Sequence, residues 1–461
     1  MNKSTLWELI NTFSETEKRA FTAYLESPYF AVRNEAKHLY EALLQFGPDK
    51  RAVFRHVFPQ FPEFDDHRLR MAMSFLYRNA LDFLALESLR ADRVETQFLL
   101  AQSLRRRHLN DASDKALKVG LGKHCETDKR DVVFLEEKFR LSLEQYQSES
   151  AQLRAGSPLV QTFSEALDHA FMARKLWQAC SMWSHQSVSN AAYDFGLLGE
   201  VMRHIELRGV PQEPAIAVYF HYLRALEHPE EPEHFNRFKT IVLDQGGLFS
   251  DDSLRDLFLM AVNFCIRQNN EGNTAYRGEQ FELYRLGLGK NAFTVDGHLP
   301  RYTYLNAVTT ALLARRYDWA EQFIHDYREQ LMPTQRDGLY SFNRARLAYH
   351  LGEHDKALRF LRDADMRDVM LGLAAKTLQA KLYYEMDAFD LLESHLQALQ
   401  SFITRKKEMG YHRLNYQHFI RLVRRLLELT PGDRTQRTLL REQIVGTKEL
   451  AEKDWLLGRL R

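Results

Sequence analysis

Apolar residues recur along this chain with the period of an α-helix. Ser14 and Glu17 have the spacing of a capping box, which predicts that a helix begins at Ser14. Ser27-Pro28 predicts its end, because the residue before a proline is disfavoured in the α conformation. The apolar positions in residues 6–25 fold onto one helix face: Leu6, Leu9, Ile10, Phe13, Ala20, Phe21, Tyr24 and Leu25.

Runs of alternating β-branched residues with hairpin turns, the signal of β-strands, are missing from the sequence. The sequence therefore predicts an all-α protein of roughly twenty helices, each of about a dozen residues.

From residue 301 onward the helical pattern repeats. An aromatic residue or histidine followed by aspartate recurs at Tyr317, His354 and Phe389, at separations of 37 and 35 residues. Small or apolar residues occupy two equivalent positions of each second helix: Ala320, Ala357 and Leu392, and four residues later Ile324, Leu361 and Leu396. Twelve residues before the first of these positions stand Val308, Ala345 and Ala380. The pattern in each unit therefore predicts a helix, a short turn and a second helix that begins at an aspartate.

The best of these units resembles the tetratricopeptide (TPR) repeat over about residues 301–400. Gly352, the start Asp355-Lys356-Ala357 and Ala364 match the second half of that repeat. Arg344 and Ala348 depart from it, since the family usually has leucine and an aromatic residue there. The resemblance implies a solenoid of antiparallel helical hairpins. The opening from Glu15 to Phe30 also resembles a group of uncharacterised bacterial helical proteins, which implies no activity.

Four segments are predicted on this basis. They are a less regular helical N-terminal region (1–125), irregular helical hairpins (126–300), TPR-like repeats (301–400) and a basic C-terminal helical cap (401–461). The tetrapeptide Gly-Leu-Gly-Lys at 120–123 and again at 287–290 predicts helix C-caps, because neither copy has the full spacing of a phosphate-binding loop.

Composition excludes several classes of protein. Lys and Arg number 63 against 62 Asp and Glu, so no overall charge attracts nucleic acid or a membrane. Cys125, Cys180 and Cys265 are odd in number and far apart, which favours a reducing compartment over a disulfide framework or a cysteine zinc site. An acidic residue lies near the N-terminus, where a signal peptide would need apolar residues, and no apolar run is long enough to span a membrane. We therefore expect a cytoplasmic protein that does not associate with a membrane.

Candidate chemistry is sparse. His228 and His234 flank a segment with three glutamates and could offer metal ligands, but a solvated acidic loop is the commoner reading of such a segment. Cys180 lies at core-like helical spacing, and no nucleophile elbow occurs. The sequence predicts no catalytic residue, no metal and no cofactor.

Positive charge is concentrated in residues 401–461, with 14 Lys and Arg against seven Asp and Glu, a net of +7 by subtraction. Residues 409–429 predict one amphipathic helix, with Leu414 and Phe419 on its apolar side. The basic patch could bind nucleic acid, or form the polar outer face of a terminal repeat. It comprises Arg405, Lys406, Lys407, Arg413, Arg421, Arg424 and Arg425.

Repeated helical hairpins commonly bind partners on their concave face, where tyrosines serve as anchors. Tyr302, Tyr304 and Tyr340 are the predicted contacts, although core packing is the alternative for each. The leading hypothesis is a non-catalytic scaffold or adaptor that binds another protein or peptide. The alternatives are a nucleic-acid-binding protein that uses the basic patch, and an enzyme whose site is assembled from distant residues. The sequence leaves the oligomeric state open.

Overall fold

The computed structural model describes residues 4–30, 32–150, 159–189, 191–362, 368–405, 412–430 and 432–460. Within these ranges the chain forms 23 α-helices and two 3-10 turns, at Gly246–Leu248 and Arg328–Gln330. The described residues contain no strand beyond one isolated bridge between Val295 and His298. The prediction of an all-α protein is therefore confirmed.

The helices follow one another through short connections. In chain order they are α1 Thr5–Thr12, α2 Glu15–Glu26, α3 Asn34–Phe46, α4 Lys50–Val57, α5 Asp66–Ala91, α6 Arg93–Arg105, α7 Asn110–Glu126, α8 Val132–Ser150, α9 Leu159–Val188, α10 Leu198–Arg208, α11 Pro214–Glu227, α12 Pro232–Asp244, α13 Asp251–Asn270, α14 Tyr276–Gly289, α15 Arg301–Leu313, α16 Tyr317–Asp326, α17 Arg336–His350, α18 His354–Arg362, α19 Val369–Glu385, α20 Phe389–Arg405, α21 His412–Leu427, α22 Arg434–Gly446 and α23 Lys453–Gly458.

The helices form two compact units. The first comprises Met1–Gln178 with Gly196–Ile216, and the second comprises Ala179–Phe195 with Ala217–Arg461. This division is coarser than the four segments proposed from the sequence, whose boundaries stay predictions. None of the described helices is both long enough and apolar enough to cross a bilayer.

The start of the first unit follows the predicted pattern. Ser14 Oγ accepts the backbone N–H of Glu17 at 3.2 Å, and Glu17 Oε2 accepts the N–H of Ser14 at 2.7 Å. This capping box separates α1 from α2, and α2 ends at Ser27. Both boundaries are confirmed.

Aromatic rings fill the core of the first five helices. Phe21 lies at its centre, with ring centroids 5.6 Å from Phe13, 4.9 Å from Tyr40 and 5.1 Å from Phe83. These rings come from four different helices or their caps, so one apolar cluster holds α1, α2, α3 and α5 together.

Three consecutive helix pairs occupy residues 301–405 of the second unit: α15 with α16, α17 with α18 and α19 with α20. Arg315, Gly352 and Asp387 each have a positive φ in the turn between the two helices. The same hydrogen bond follows each of them, from the N–H of residue 316, 353 or 388 to the carbonyl five residues earlier. This is the closing bond of a Schellman C-cap, repeated at separations of 37 and 35 residues.

The nine predicted repeat positions are all buried: Val308, Ala345, Ala380, Ala320, Ala357, Leu392, Ile324, Leu361 and Leu396. Alanine at Ala320 and Ala357 leaves room for close helix contact. The predicted register of the helix pairs is therefore confirmed, while Ala364 lies outside the described residues.

One of the two Gly-Leu-Gly-Lys segments does not form the predicted C-cap, whereas the other lies at the end of α14, whose last residue is Gly289 and whose C-cap is Lys290. Residues 120–123 lie inside α7, and a Cβ added at Gly120 would come within 3.2 Å of Gln97 Cβ on α6. Gly287 also lies inside α14, where an added Cβ would meet Phe293 Cε2 at 2.5 Å. Gly120 and Gly287 therefore allow close packing, and only the prediction of a C-cap at residues 120–123 is wrong.

Candidate partner-binding groove

A cavity of about 1000 Å³ opens beside the first helices of the three pairs. Its walls come from α15, α17 and α19, which contact one another in that order, and from residues 451–459 near the C-terminus. We call it the inner groove.

Equivalent residues of the three helices line the inner groove in four tiers. The tiers follow the 37- and 35-residue separations of the repeat and lie at i, i+3, i+7 and i+11 of each helix, which is one helix face. They are Tyr302, Leu339 and Ala374; Leu305, Phe342 and Thr377; Thr309, Arg346 and Lys381; and Leu313, His350 and Glu385. The groove is therefore built from the repeat itself.

The chemistry of the lining changes from tier to tier. The first two tiers are apolar or aromatic except at Thr377, whereas the last two contain a guanidinium, an ammonium, an imidazole and a carboxylate. The groove consequently has an apolar margin and a charged margin, and both line one cavity.

Glu385 holds the charged margin together. Its Oε1 accepts the Tyr349 hydroxyl and the Trp455 indole N–H, each at 2.7 Å, and lies 3.3 Å from Arg459 Nη2. Burial, reinforced by the Glu385 carboxylate, raises the pKa of Tyr349. The hydroxyl therefore stays protonated and keeps donating to Glu385.

The C-terminal wall is joined to the groove by a second ion pair. Lys381 Nζ lies 2.8 Å from Glu452 Oε2, and the same ammonium lies 4.7 Å from the centroid of the Tyr349 ring. Glu452 adopts a left-handed backbone conformation, with φ of 56°. The chain thus already places one carboxylate against a cation of the inner groove.

The hydrogen bonds of Arg346 go to neutral groups, although the Glu452 carboxylate also acts on its charge and raises its pKa, against the effect of burial. Its Nη1 donates to Leu305 O at 3.2 Å and to Asn343 Oδ1 at 3.1 Å, and its Nη2 donates to Thr309 Oγ1 at 2.7 Å. Among the described residues no carboxylate forms an ion pair with it. Burial lowers the pKa of Arg346 to about 10, which still leaves the guanidinium charged at neutral pH.

The three predicted tyrosines have different positions. Tyr302 lines the groove, and its side chain is 57% exposed. Tyr304 is fully buried and donates its hydroxyl to Ile324 O at 2.8 Å, so it packs in the core and cannot contact a partner. Tyr340 is half-buried outside the groove lining, with Arg328 4.8 Å from its ring centroid. The role of Tyr302 as a contact stays a prediction.

The residues of the predicted basic patch differ in exposure and in their hydrogen-bond partners. Arg421 and Arg425 are exposed, but Arg424 Nε donates to Glu393 at 3.2 Å. Arg405 donates to Ser401 O within α20, and half-buried Arg413 lies in the first turn of α21. Lys406 and Lys407 lie outside the described residues. Leu414, predicted on the apolar side, is 45% exposed, whereas Tyr416 and Phe419 of the same helix pack in the core.

The histidine-rich segment between α11 and α12 contains two neighbouring groups. His228, Glu230 and Glu231 place one ligand atom each within 4.8 Å of one another. His221 Nδ1 and His234 Nδ1 lie 3.0 Å apart and hydrogen-bond to each other. Glu230 and Glu231 are exposed, and the choice between a metal site and a solvated acidic loop stays a prediction.

The sequence does not reveal the groove directly, because the repeat is most visible at its buried positions. Val308, Ala345 and Ala380 lie in the core, and the residue after each of them faces the groove: Thr309, Arg346 and Lys381. The unlike chemistry of these three residues hides their equivalence, which the spacing alone would reveal.

Comparison with protein-family models, with curated proteins and with solved structures finds no match for this chain.

Proposed function

We propose that the second unit is a helical-repeat adaptor, a TPR-like solenoid of hairpins that binds a segment of a partner protein in the inner groove. The observation that carries the proposal is the four-tier lining, in which each of three first helices supplies the same positions to one cavity. Repeats whose first helices share one exposed face provide an extended binding surface without an enclosed active site.

The groove also has the chemistry of a peptide site. Tyr302 and Leu313 expose large apolar surfaces at the two ends of the α15 lining, and Arg346, Lys381 and Glu385 supply charged groups in the third and fourth tiers. Aromatic anchors beside a few fixed polar groups are typical of protein interfaces. The partner segment would lie across α15, α17 and α19.

A matched pair of exposed residues tests this proposal. Tyr302 on α15 lines the groove, whereas Leu391 on α20 does not, and their side chains are 57% and 58% exposed. Tyr302→Asp should abolish recovery of a nuclease-resistant partner from native lysate, and Leu391→Asp should leave recovery unchanged. Equal recovery with both variants would reject the groove as the binding surface.

Nucleic-acid binding is the second candidate, and it depends on two exposed arginines one turn apart on α21, Arg421 and Arg425. Replacing both by glutamate should abolish binding to mixed RNA, and binding by the wild type should fall steeply with salt. The same charge reversal at exposed Arg203 and Arg208 on α10 serves as the control. Binding whose affinity does not change with salt concentration or with either double variant would exclude nucleic-acid binding through α21.

A further inference from the structure

Arg346 retains unused hydrogen-bonding capacity inside the inner groove. A guanidinium has five N–H donors, and the three hydrogen bonds of Arg346 to Leu305, Asn343 and Thr309 leave two of them without a described partner. A charged group withdrawn from bulk water is stabilised most by an opposite charge that accepts its remaining hydrogen bonds.

A second polar side chain in the same cavity is also unsatisfied. Thr377 lines the groove from α19 and is only 2% exposed, yet its Oγ1 has no hydrogen-bond partner among the described residues. Buried hydroxyls are nearly always paired, so an unpaired one that lines a cavity points to a missing ligand atom. The Nδ2 of buried Asn343, whose Oδ1 already accepts from Arg346, is unpaired as well.

The surroundings define the ligand further. Leu305 and Phe342 occupy the tier of Thr377, and Leu339 and Ala374 occupy the tier beyond it, so apolar surface adjoins the free donors on one side. On the other side Glu452 already supplies a carboxylate to Lys381, which occupies the same tier as Arg346. Free donors beside a cation, next to an apolar margin, fit a carboxylate carried on an apolar body.

We propose that Arg346 and Thr377 form a carboxylate-binding subsite of the inner groove, which takes an acidic side chain of the partner segment while a neighbouring apolar side chain packs on Leu305 and Phe342. This inference rests on the proposed adaptor function and deepens it by naming the chemistry of the bound segment. A free organic acid offers the same carboxylate, and the experiment separates these two sources.

The probes are N-acetyl-Glu-Leu-amide, its neutral analogue N-acetyl-Gln-Leu-amide, and free glutarate. Saturation-transfer NMR at millimolar concentration measures their dissociation constants with the full chain. We expect the glutamate peptide to bind at least ~10-fold more tightly than the glutamine peptide, since a charge-assisted hydrogen bond replaces a neutral one. Arg346→Gln should remove this preference, and Thr377→Val should weaken binding of the glutamate peptide by about 5-fold.

Arg425→Gln, at an exposed arginine outside the groove, is the control and should change nothing. Thr377→Val is nearly isosteric and keeps the test valid if Arg346→Gln impairs folding. Binding of glutarate without either peptide would support the carboxylate subsite and reject the adaptor function. Equal binding of both peptides, no binding of any probe, or an unchanged preference in both variants would overturn the subsite.

Discussion

Lys381 Nζ and Glu452 Oε2 lie 2.8 Å apart and join α19 to a residue 71 positions later in the chain. The lysine side chain is 11% exposed and the glutamate 39%. Because Glu452 adopts a left-handed conformation that L-residues other than Asn and Asp rarely occupy, this ion pair and local strain coincide at one residue.

Substitution of Glu452 can separate these two effects. Glu452→Gln keeps the strain and removes the charge, so we expect a loss of about 1 kcal/mol in the free energy of unfolding, a modest value because the carboxylate is partly solvated. Glu452→Gly removes both and should lose less, since glycine adopts a positive φ without strain. Urea unfolding followed by circular dichroism measures the difference. A greater loss for glycine than for glutamine would contradict this account.

Close packing at Gly287 gives a second prediction. An added Cβ would lie 2.5 Å from Phe293 Cε2 and 3.0 Å from Phe258 Cδ1, and both rings are buried. We expect Gly287→Ala to lower the free energy of unfolding by about 1–3 kcal/mol through overpacking.

Gly278 on the same helix is the matched control, because a Cβ there would meet nothing within 4 Å. Gly278→Ala should raise stability by up to about 1 kcal/mol through better helix propensity. The midpoints of urea unfolding should therefore move in opposite directions, and a shared direction would argue against the packing role of Gly287.

The arginine run at the end of α6 contains one structural anchor. Arg105 Nε lies 2.6 Å from Glu144 Oε1 and its Nη2 lies 3.1 Å from Oε2, and the Glu144 side chain is only 2% exposed. Arg105→Ala would leave a buried carboxylate without its cation, so we expect a loss of about 3–5 kcal/mol in the free energy of unfolding.

Its neighbour Arg106 is exposed, and Arg106→Ala should change stability by less than about 0.5 kcal/mol. Adding Glu144→Leu to Arg105→Ala should restore part of the lost stability, because the uncompensated charge is then gone. Denaturant unfolding of the three variants checks the order. Similar losses of stability for Arg105→Ala and Arg106→Ala would show that the buried Glu144 carboxylate does not depend on Arg105 as its cation.

The paired imidazoles of His221 and His234 predict a pH dependence. Burial lowers the pKa of His221 from 6.5 to about 4, and the charge of His234 acts in the same direction; Arg237 lowers it further and Glu233 opposes it. Well above pH 6.5 both folded and unfolded states hold a neutral imidazole. As pH falls from 6.5 to 4 the unfolded state binds the proton first, so stability declines by roughly 1–3 kcal/mol, less than the full shift because the imidazole is partly solvated.

His221→Leu removes the titrating group and should flatten this decline when urea midpoints are compared at several pH values. His204, an exposed histidine on α10, provides the control, and His204→Gln should leave the decline intact. Burial also lowers the pKa of His124, His350 and His395, so some decline should persist in the His221 variant. If the urea midpoint of His221→Leu falls with pH as steeply as that of the wild type, the His221–His234 pair is not the source of the decline.

Helix boundaries and the repeat register could be predicted because they depend on local signals. Ser14 carries a capping box in its own sequence, and Ala320 and Ala357 are buried small residues at equivalent positions of two hairpins. The function of the glycines at 120 and 287 could not be predicted, since their neighbours Gln97 and Phe293 are defined by how helices and turns pack.

The inner groove was harder to foresee for a related reason. Core positions repeat because packing demands similar residues, whereas that demand does not act on the groove positions, which differ between hairpins. Thr309, Arg346 and Lys381 are structurally equivalent and chemically unlike. A repeat search that seeks similar residues therefore detects the scaffold and overlooks the surface that it presents.

The tiers give the inner groove a direction. On α17 and α19 the lining follows the same order, from uncharged residues in the first two tiers to ionisable residues in the last two, whereas α15 carries Thr309 and Leu313 there. A segment bound across α17 and α19, as proposed above, would have uncharged side chains along one of its edges and ionisable side chains along the other. Half a turn of that segment about its own axis would exchange the two edges, so the proposed site would favour one orientation of the bound segment.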